Sequence, residues 1–586
     1  HSIYKGLTFW EPNINIYRDP RWGRGHETYG EDPYLTAVLG ENAIRGLQDG
    51  EDDKYFKGAA CVKHFAVHSG PEEGRHGFDS VVSDFDLNDT YLPAFKWCIE
   101  RSDVESVMGA YNMINGIPCC ASPLIKNLVR EKWHFKGYFV SDCGALADMH
   151  EYCLYTHTAI ESAAAALKAG CDLNCGVVYL NVLQAYNDGK VTENDIDEAV
   201  TNLLATRIKL GLLDENCSYN SQKDILKVEC EEHLQKSYEI ATKSIVMLKN
   251  EVLPLKKSEL KTIGVIGPNA TSTIALEGNY NGIASTYHTV LDGIKESCEN
   301  ITNSENGIRV LYAKGCHLYK GGEENSGNDR GSGFSEAVSV ALNSDAVIMV
   351  MGLDSTIEGE QGDASNEYGA GDKLTLSFPG LQQELMKKIK ATGKKLILVV
   401  LAGGALDLNW AKENADAILY GWYPGVMGGK AIADIIFGDQ NPSGKTPVTF
   451  YKSLDDLPDF TDYSMEGRTY RYLKTQPLYE FGFGLSYTTF SCEKLAENIE
   501  NNNYSVTAKI KNTGKISGEA VVLVYAKYEK EKYIIPNKKL CEFLRISLNP
   551  NEEKTISIPI DAEAILLTDK SGEKYVPETL SFEIAV

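Results

Sequence analysis

The chain has 586 residues, which is too long for a single hydrophobic core and predicts about two to four domains. Hydrophobic residues make up 43% and charged residues 24%, a typical composition for a globular protein. The formal net charge of −24 disfavours nucleic acid and anionic membrane surfaces as partners. The longest apolar runs, such as residues 396–402, fall well short of the roughly 18–20 residues that a membrane-spanning helix needs.

The N-terminal region alternates short apolar segments with helical patterns. Strands are predicted at residues 58–63, 104–108 and 137–141, and helices at 159–169 and 196–210. Glycines at positions 170 and 211 stand where these helices should end. Because alternating strands and helices imply parallel strands, we assign residues 1–215 to an α/β domain.

Two further regions follow. Residues 216–455 contain predicted strands at 262–266, 346–350, 396–401 and 417–420, which indicates a second α/β domain. Residues 456–489 are assigned to a connecting segment. From residue 490 to 586 the pattern changes to short strands, with polar and apolar residues alternating over 504–511 before a turn at 512–514. This last pattern is typical of a small β-sandwich.

Two segments resemble nucleotide-binding motifs but differ from them in detail. Gly438–Thr446 ends in Ser-Gly-Lys-Thr, yet its first glycine is one position too far away and Pro447 stands where a helix must begin. Gly264–Gly267 lacks the third glycine of a dinucleotide fingerprint. The 14 cysteines show no zinc-binding spacing, and we expect most of them to be buried thiols. The sequence therefore predicts no cofactor and no metal.

Asp142 is the most informative carboxylate because it directly follows the predicted strand at 137–141. In a (β/α)₈ barrel, a polar residue at the C-terminal end of a strand faces the mouth of the active site. A lone aspartate at such a place is more often a helix cap. Other clusters put basic or hydrogen-bonding groups at comparable places, and they contain Arg24, Lys63, His64, Met108 and Tyr111.

Basic groups around Asp142 can keep it ionised and bind the hydroxyl groups of a sugar. Each cluster also has a purely structural interpretation. Arg24 could form a salt bridge to Glu27 or Glu31, Lys63 and His64 could be a surface pair, and Met108 could pack in the core. The order and spacing of all the clusters together favour a site.

The sequence resembles glycoside hydrolase family 3 over nearly its whole length. The resemblance rests on the strings Asp19-Pro-Arg-Trp-Gly-Arg24, Lys63-His64-Phe65, Val140-Ser-Asp142, Ser244-Ile-Val-Met-Leu-Lys-Asn250 and Phe481-Gly-Phe-Gly-Leu-Ser-Tyr487. It implies a TIM-like (β/α)₈ barrel, an α/β sandwich domain and a C-terminal fibronectin-III-like β-sandwich. It also implies Asp142 as nucleophile, with Arg24, Lys63 and His64 holding the sugar and Met108 and Tyr111 lining its subsite.

A retaining glycosidase needs a second carboxylic acid roughly 5–5.5 Å from the nucleophile. Relatives supply it from a loop of the second domain, and here that loop carries Glu358 and Glu360. The resemblance places the acid/base in the Thr-Ile-Glu segment, so we expect Glu358 rather than Glu360. The expected reaction is the two-step release of single sugars from the non-reducing ends of oligosaccharides.

Cys143 directly follows the proposed nucleophile. The resemblance at this position is to the β-xylosidase branch of the family, whereas β-glucosidases more often carry tryptophan there. We therefore expect a β-D-xylosidase acting on xylo-oligosaccharides, with a β-glucosidase as the alternative. Such a substrate points to a secreted or periplasmic enzyme, with a cytoplasmic enzyme acting on imported oligosaccharides as the other choice.

The chain departs from the family pattern at its beginning. Lys5–Asn13 corresponds to a segment that lies well inside the barrel of relatives, so we expect an N-terminally truncated barrel without its first strands. The rival hypothesis is consequently a catalytically weak remnant that binds carbohydrate. The sequence does not fix the oligomeric state and is compatible with a homodimer.

Overall fold

The computed structural model describes residues 6–50, 54–217, 219, 228–299, 307–321, 333–362, 371–500 and 503–586. The strands of the N-terminal domain are β1 (Thr8–Phe9), β2 (Ala59–Phe65), β3 (Asp79–Ser80), β4 (Ser106–Gly109), β5 (Met113–Ile114), β6 (Ile117–Pro118) and β7 (Tyr138–Ser141). Its helices are α1 (Pro33–Gln48), α2 (Asp84–Asp86), α3 (Pro93–Ser102), α4 (Ala145–Glu151), α5 (Ala159–Ala169), α6 (Val182–Asn187) and α7 (Glu193–Lys209).

A parallel sheet forms the centre of this domain. Over the described residues its strands follow the order β1-β2-β4-β7, with Cys61 opposite Ser106 and Val107 opposite Phe139. A parallel bridge from Val140 to Leu173 continues the pairing beyond β7. All four residues of β4 and of β7 are buried, as expected for parallel strands covered on both faces.

The two faces of the sheet are covered by different groups. One face packs into the main core of the domain through Val62, Val107 and Phe139. Because successive strand residues point to opposite faces, the residues between them form a second cluster on the other face. That cluster contains Cys61, Met108, Tyr138 and Val140, with Trp10 and Leu203 packed against it. Helix α7 therefore covers this second face through Leu203.

The helix boundaries follow from local capping. Helix α5 begins after Thr158, whose side chain accepts a hydrogen bond from the backbone of Glu161, and ends at Gly170, which has a φ of 98°. The prediction of a helix over 159–169 is thus confirmed. Helix α7 begins with a capping box between Thr192 and Asp195, three residues earlier than the sequence predicted.

The second domain has a mostly parallel sheet with helices around it. Its strands are β8 (Val246–Asn250), β9 (Thr262–Ile266), β10 (Arg309–Ala313), β11 (Ala346–Gly352), β12 (Lys395–Leu401) and β13 (Ala417–Tyr420). Its helices are α8 (Glu231–Ser244), α9 (Val290–Glu299), α10 (Phe334–Leu342), α11 (Gln382–Lys390), α12 (Asn409–Asn414) and α13 (Gly428–Phe437). In the part of the chain that the structure describes, the sheet order is β10-β9-β11-β12-β13-β8, and β8 is antiparallel to β13.

The C-terminal domain is a β-sandwich, as the alternating pattern predicted. Its strands are β14 (Phe490–Glu500), β15 (Asn503–Asn512), β16 (Gly518–Lys527), β17 (Lys539–Leu548), β18 (Glu553–Ile560), β19 (Leu567–Thr568), β20 (Lys574–Tyr575) and β21 (Ser581–Ala585). The described strands form the sheets β14-β15-β18 and β17-β16-β21, both antiparallel. In β15 buried residues alternate with partly buried ones, so one face lies in the core.

The segment before β14, which includes helix α14 (Thr469–Tyr472), packs against the N-terminal domain through buried arginines. Arg468 Nη1 lies 2.6 Å from Asp19 Oδ2, and Arg471 Nη2 lies 2.8 Å from Asp89 Oδ2. Both pairs are fully desolvated, so breaking either one by removing a single partner costs about 3–5 kcal/mol. This connection holds the N-terminal domain firmly against the rest of the chain.

Candidate active site

The residues that the sequence singled out meet at one edge of the N-terminal sheet. Lys63 and His64 lie in the last half of β2, and Met108 lies in β4. Tyr111 follows β4 and Asp142 follows β7 directly. Because parallel strands end at the same edge, these side chains converge on that edge.

Asp142 lies at the centre of this group and is 7% exposed. Its Oδ1 accepts a hydrogen bond from the backbone N–H of Cys143 at 2.7 Å. Burial raises the pKa of Asp142, and the positive charges of Arg24 and Lys63 partly oppose that shift. The carboxylate is therefore buried but faces two cations, as a nucleophile that must be ionised requires.

His64 is a neutral neighbour of Asp142. Its Nδ1 lies 3.0 Å from Oδ1 of Asn15, an oxygen that can only accept, so Nδ1 carries the proton. The lone pair of Nε2 then accepts from Arg24 Nη2 at 3.2 Å, while Asp142 Oδ2 lies 3.6 Å away. Burial and the nearby cations hold the pKa of His64 well below its usual value, so the ring carries no charge.

Arg24 forms the salt bridge to Glu27 that the sequence suggested, and it also contacts Glu360. Its Nε and Nη2 donate to the two oxygens of Glu27 at 2.7 and 2.9 Å, and its Nη1 lies 3.4 Å from Glu360 Oε1. Burial opposes ionisation of Glu27, but the charges of Arg24 and Lys63 outweigh it and lower its pKa to about 2. Glu27 therefore fixes Arg24 as a charged fork.

Glu358, which the sequence favoured as acid/base, is 1% exposed and surrounded by donors. It accepts from Lys373 Nζ at 2.5 Å, from the backbone N–H of Gly403 at 2.5 Å and from the Tyr423 hydroxyl at 2.6 Å. Burial alone would raise the pKa of Glu358, but the Lys373 ammonium outweighs it and the pKa lies below its ordinary value.

Glu360 contacts two arginines of the N-terminal domain and a tyrosine of the second domain. Its Oε1 lies 3.4 Å from both Arg24 Nη1 and Arg75 Nη2, and its Oε2 accepts from the Tyr280 hydroxyl. Burial is the main cause that raises the pKa of Asp142, and the negative charge of Glu360 adds to that shift. Glu360 therefore contacts Arg24 and Arg75, whereas Glu358 contacts Lys373.

The two predicted lining residues differ in their surroundings. Tyr111 packs edge-to-face on His76, with ring centroids 4.7 Å apart, and Arg75 lies 5.4 Å from its ring centroid. Met108 is 1% exposed and belongs to the apolar cluster on the face of the sheet that helix α7 covers. Met108 therefore packs in the core, as its structural interpretation predicted.

Several site residues were missed from the sequence. Asn15, which orients His64, has no sequence signal beyond its position near the Asp19–Arg24 string. Glu27, which orients Arg24, was considered only as a structural salt-bridge partner. Tyr280 comes from the second domain, where its hydroxyl contacts Glu360 and its ring lies 5.1 Å from Lys63 Nζ. No spacing rule connects such a residue to a site in another domain.

The cysteine next to the nucleophile forms a disulfide with Cys175. Two hydrogen bonds also join these segments: Gly144 N–H donates to the Cys175 carbonyl at 2.8 Å, and Cys175 N–H donates to the Ser141 hydroxyl oxygen at 3.0 Å. The other twelve cysteines are free thiols, and nine of these are buried, as expected. The disulfide closes the turn that carries Asp142.

Within the described ranges no group of three or more His, Cys, Asp or Glu side chains is arranged to hold a metal ion. No helix among those residues is both long and apolar enough to cross a membrane. The side chains described above supply buried carboxylates, cations and hydroxyls. Paired carboxyl groups beside cations and hydroxyls are the groups with which a glycoside hydrolase works.

Comparison with known families agrees with this class. Residues 6–206 match the glycosyl hydrolase family 3 N-terminal domain, residues 245–487 match the family 3 C-terminal domain and residues 520–586 match a fibronectin type III-like domain. The chain belongs to glycoside hydrolase family 3. The three units expected from the sequence are confirmed by these matches.

Individual relatives are similar over almost the entire chain. A xylan 1,4-β-xylosidase of Xylanibacter ruminicola is 33% identical, covering 96% of this chain and 81% of its own length. β-D-xylosidase 1 of Arabidopsis thaliana is 35% identical, with coverage of 98% and 77%. An exo-β-xylosidase solved with a xylobiose aziridine probe superposes with a TM-score of 0.89 at 32% identity, covering 99% of this chain and 77% of that one. A β-glucosidase of Listeria innocua gives 0.85 at 27% identity, with coverage of 98% and 81%.

Proposed function

We propose that this chain is a retaining, exo-acting β-glycosidase in which Asp142 is the nucleophile and Glu360 is the general acid/base. The observation that carries the proposal is the position of Arg24, whose Nη1 contacts Glu360 and whose positive charge also acts on Asp142. A retaining mechanism needs two carboxyl groups facing one anomeric carbon, and this arrangement supports such a pair.

The choice of Glu360 over Glu358 rests on the contacts of the two side chains. A general acid must carry a proton and reach the leaving oxygen. Glu358 is held as an anion by Lys373 and has donors on both oxygens, so protonating it would break those bonds. Glu360 is 8% exposed, and the Arg24 and Arg75 nitrogens beside its Oε1 lie at 3.4 Å, farther away than the three donors of Glu358.

The proposed reaction has two steps. Asp142 attacks the anomeric carbon while Glu360 protonates the leaving oxygen, which gives a covalent glycosyl-enzyme. Glu360 then removes a proton from water, which attacks the same carbon and releases the sugar with retained configuration. Arg24, Lys63 and His64 bind the hydroxyls of the sugar, and Tyr111 lines its subsite.

The proposed substrate is a xylo-oligosaccharide, from whose non-reducing end the enzyme releases xylose. Support comes from the relatives named as β-xylosidases and from Cys143, which stands where an aromatic residue would contact the sugar. A β-glucosidase is the second candidate, because enzymes of that name share the fold. The two sugars differ by one hydroxymethyl group, which a pocket discriminates by about 1–3 kcal/mol.

The test compares kcat/KM for p-nitrophenyl β-D-xyloside and β-D-glucoside, using the parent protein and Asp142→Asn. We expect a preference for the xyloside and loss of turnover in the variant. A preference for the glucoside would keep the mechanism and replace the substrate. Saturable sugar binding without turnover of either glycoside would instead support the carbohydrate-binding remnant.

A further inference from the structure

Glu358 lies two residues from Glu360 and is tied to three separate segments of the second domain. Lys373 reaches it from the returning end of the same loop, Gly403 from the turn after β12 and Tyr423 from the turn after β13. One carboxylate thus joins the loop to the ends of two core strands. A fully buried carboxylate with three donors has a single favourable position.

The backbone around Glu358 is packed too tightly to move by itself. The N–H groups of Glu358 and Gly359 donate to the carbonyls of Asp354 at 3.2 Å and Gly371 at 3.4 Å. A Cβ added at Gly23 would lie 2.1 Å from the Gly371 carbonyl oxygen and 2.6 Å from that of Gly359. The loop therefore presses against the backbone that directly precedes Arg24.

The returning end of the loop is fixed to the N-terminal domain as well. Asp372 Oδ1 accepts from the N–H of Gly23 at 2.9 Å, and its Oδ2 accepts from the N–H of Glu72 at 2.6 Å. The side chain of Glu358 sets the position of the loop on one side, and Asp372 sets it on the other. Glu360 extends from between these two fixed points towards Arg24.

We propose that Glu358 is a positioning residue, which acts through the loop to hold Glu360 at the leaving oxygen and takes no proton itself during the reaction. The inference rests on the proposed function, since it assumes that Glu360 is the acid/base. It assigns separate roles to two glutamates that lie two positions apart in the sequence.

The two roles give different kinetic signatures. Without an acid/base, a substrate with a good leaving group still forms the glycosyl-enzyme, and a small anion such as azide, which needs no general base, can attack it. When the acid/base is intact but misplaced, the rate falls most for substrates whose poor leaving groups need protonation. The carboxylate that remains also repels azide. A purely structural defect lowers the active fraction equally for all substrates.

The experiment compares Glu358→Gln, Glu360→Gln and the parent on p-nitrophenyl and 2,4-dinitrophenyl β-D-xyloside, with and without sodium azide. For Glu360→Gln we expect at least a tenfold acceleration by azide on the dinitrophenyl substrate, formation of β-xylosyl azide and loss of the basic limb of the pH profile. For Glu358→Gln we expect no azide effect, a retained basic limb, and a loss on the p-nitrophenyl substrate at least fivefold larger than on the dinitrophenyl one.

Tyr423→Phe serves as the milder variant, because it removes one donor to Glu358 and leaves the carboxylate in place. It should show the same pattern with a smaller loss even if Glu358→Gln does not fold.

Azide rescue of Glu358→Gln would overturn the inference, because Glu358 would then be the acid/base, while the two-step mechanism would stand. Equal losses on both substrates, with an unchanged pH profile, would also overturn it. Failure of the folded parent to turn over any glycoside would remove the proposed function instead, and the inference with it.

Discussion

Arg24 of the N-terminal domain and Glu360 of the second domain form an ion pair, with Nη1 and Oε1 separated by 3.4 Å. The same guanidinium is held by Glu27 through two hydrogen bonds and donates to His64. The position of Glu360 relative to Asp142 therefore depends on a planar fork that a lysine cannot reproduce.

Replacing Arg24 by lysine should lower kcat/KM by about 10- to 100-fold, because charge-assisted hydrogen bonds worth about 1.5–3 kcal/mol each are lost. Steady-state kinetics on an aryl β-xyloside measures this effect. Arg45→Lys is the matched control, since Arg45 forms an exposed pair with Glu41 on α1. Equal activity of Arg24→Lys and Arg45→Lys would contradict the bridging role.

Lys63 keeps the pKa of Asp142 lower than burial alone would set it. Replacing Lys63 by methionine removes that charge, so the pKa of Asp142 rises and a higher pH is needed to ionise the nucleophile. We expect the acidic limb of the kcat/KM profile to move to higher pH. Lys57→Met, at an exposed position just before β2, should leave that limb unchanged.

The Cys143–Cys175 disulfide closes the turn that carries the nucleophile. Replacing both cysteines by serine should lower the free energy of unfolding by about 2–4 kcal/mol and reduce kcat, because Asp142 accepts from the Cys143 backbone. Chemical denaturation and kinetics measure the two effects. Cys492→Ser, at a free and partly buried thiol of the β-sandwich, is the control. An unchanged kcat in the double variant would show that the hydrogen bonds alone hold the turn.

Glu72 is buried beneath the site, where its Oε1 accepts from Trp22 Nε1 at 2.8 Å. Burial raises the pKa of Glu72 to about 7, and the neighbouring Asp372 adds to the shift, while Arg24 and Arg75 oppose it. The pKa of this carboxyl is higher in the folded protein than its value of 4.5 in the unfolded chain. Its contribution to stability is therefore fully present below pH 4.5. This stability, up to roughly 3 kcal/mol, is lost as the pH rises through about 7.

Replacing Glu72 by glutamine keeps an acceptor for Trp22 and removes the titration. The fall in unfolding free energy between about pH 4.5 and 7 should therefore become shallower, with Glu31, whose pKa burial also raises to about 7, contributing part of what remains. Denaturant unfolding across this range is the measurement. The exposed neighbour Glu73 provides the control, and an identical slope for Glu72→Gln and Glu73→Gln would exclude Glu72 as the cause.

The fold could be predicted because its signals are local. The strand before Asp142 and the helix between Thr158 and Gly170 are determined by apolar runs and caps that lie within a few residues of each other. The alternation in β15 likewise identified the β-sandwich. Strand pairing then follows from the rules of parallel sheets, which bring Lys63, His64 and Asp142 to one edge.

The roles of the two glutamates could not be read in the same way. Glu358 and Glu360 lie in one short polar loop, and which of them meets Lys373 and which meets Arg24 depends on how two domains pack. Contacts such as that between Tyr280 and Glu360 also join segments far apart in the chain. Sequence spacing carries no information about such pairs, whereas burial and hydrogen bonding in the folded protein do.

The central claim, a covalent intermediate on Asp142, is tested most directly by trapping. A 2-deoxy-2-fluoro-β-D-xyloside with a 2,4-dinitrophenyl leaving group should inactivate the enzyme, because the fluorine slows both steps and the leaving group restores only the first. We expect peptide mass spectrometry to find one fluoroxylosyl group per chain, attached to Asp142. An adduct on a different residue, or turnover with inverted configuration and no adduct, would contradict the account.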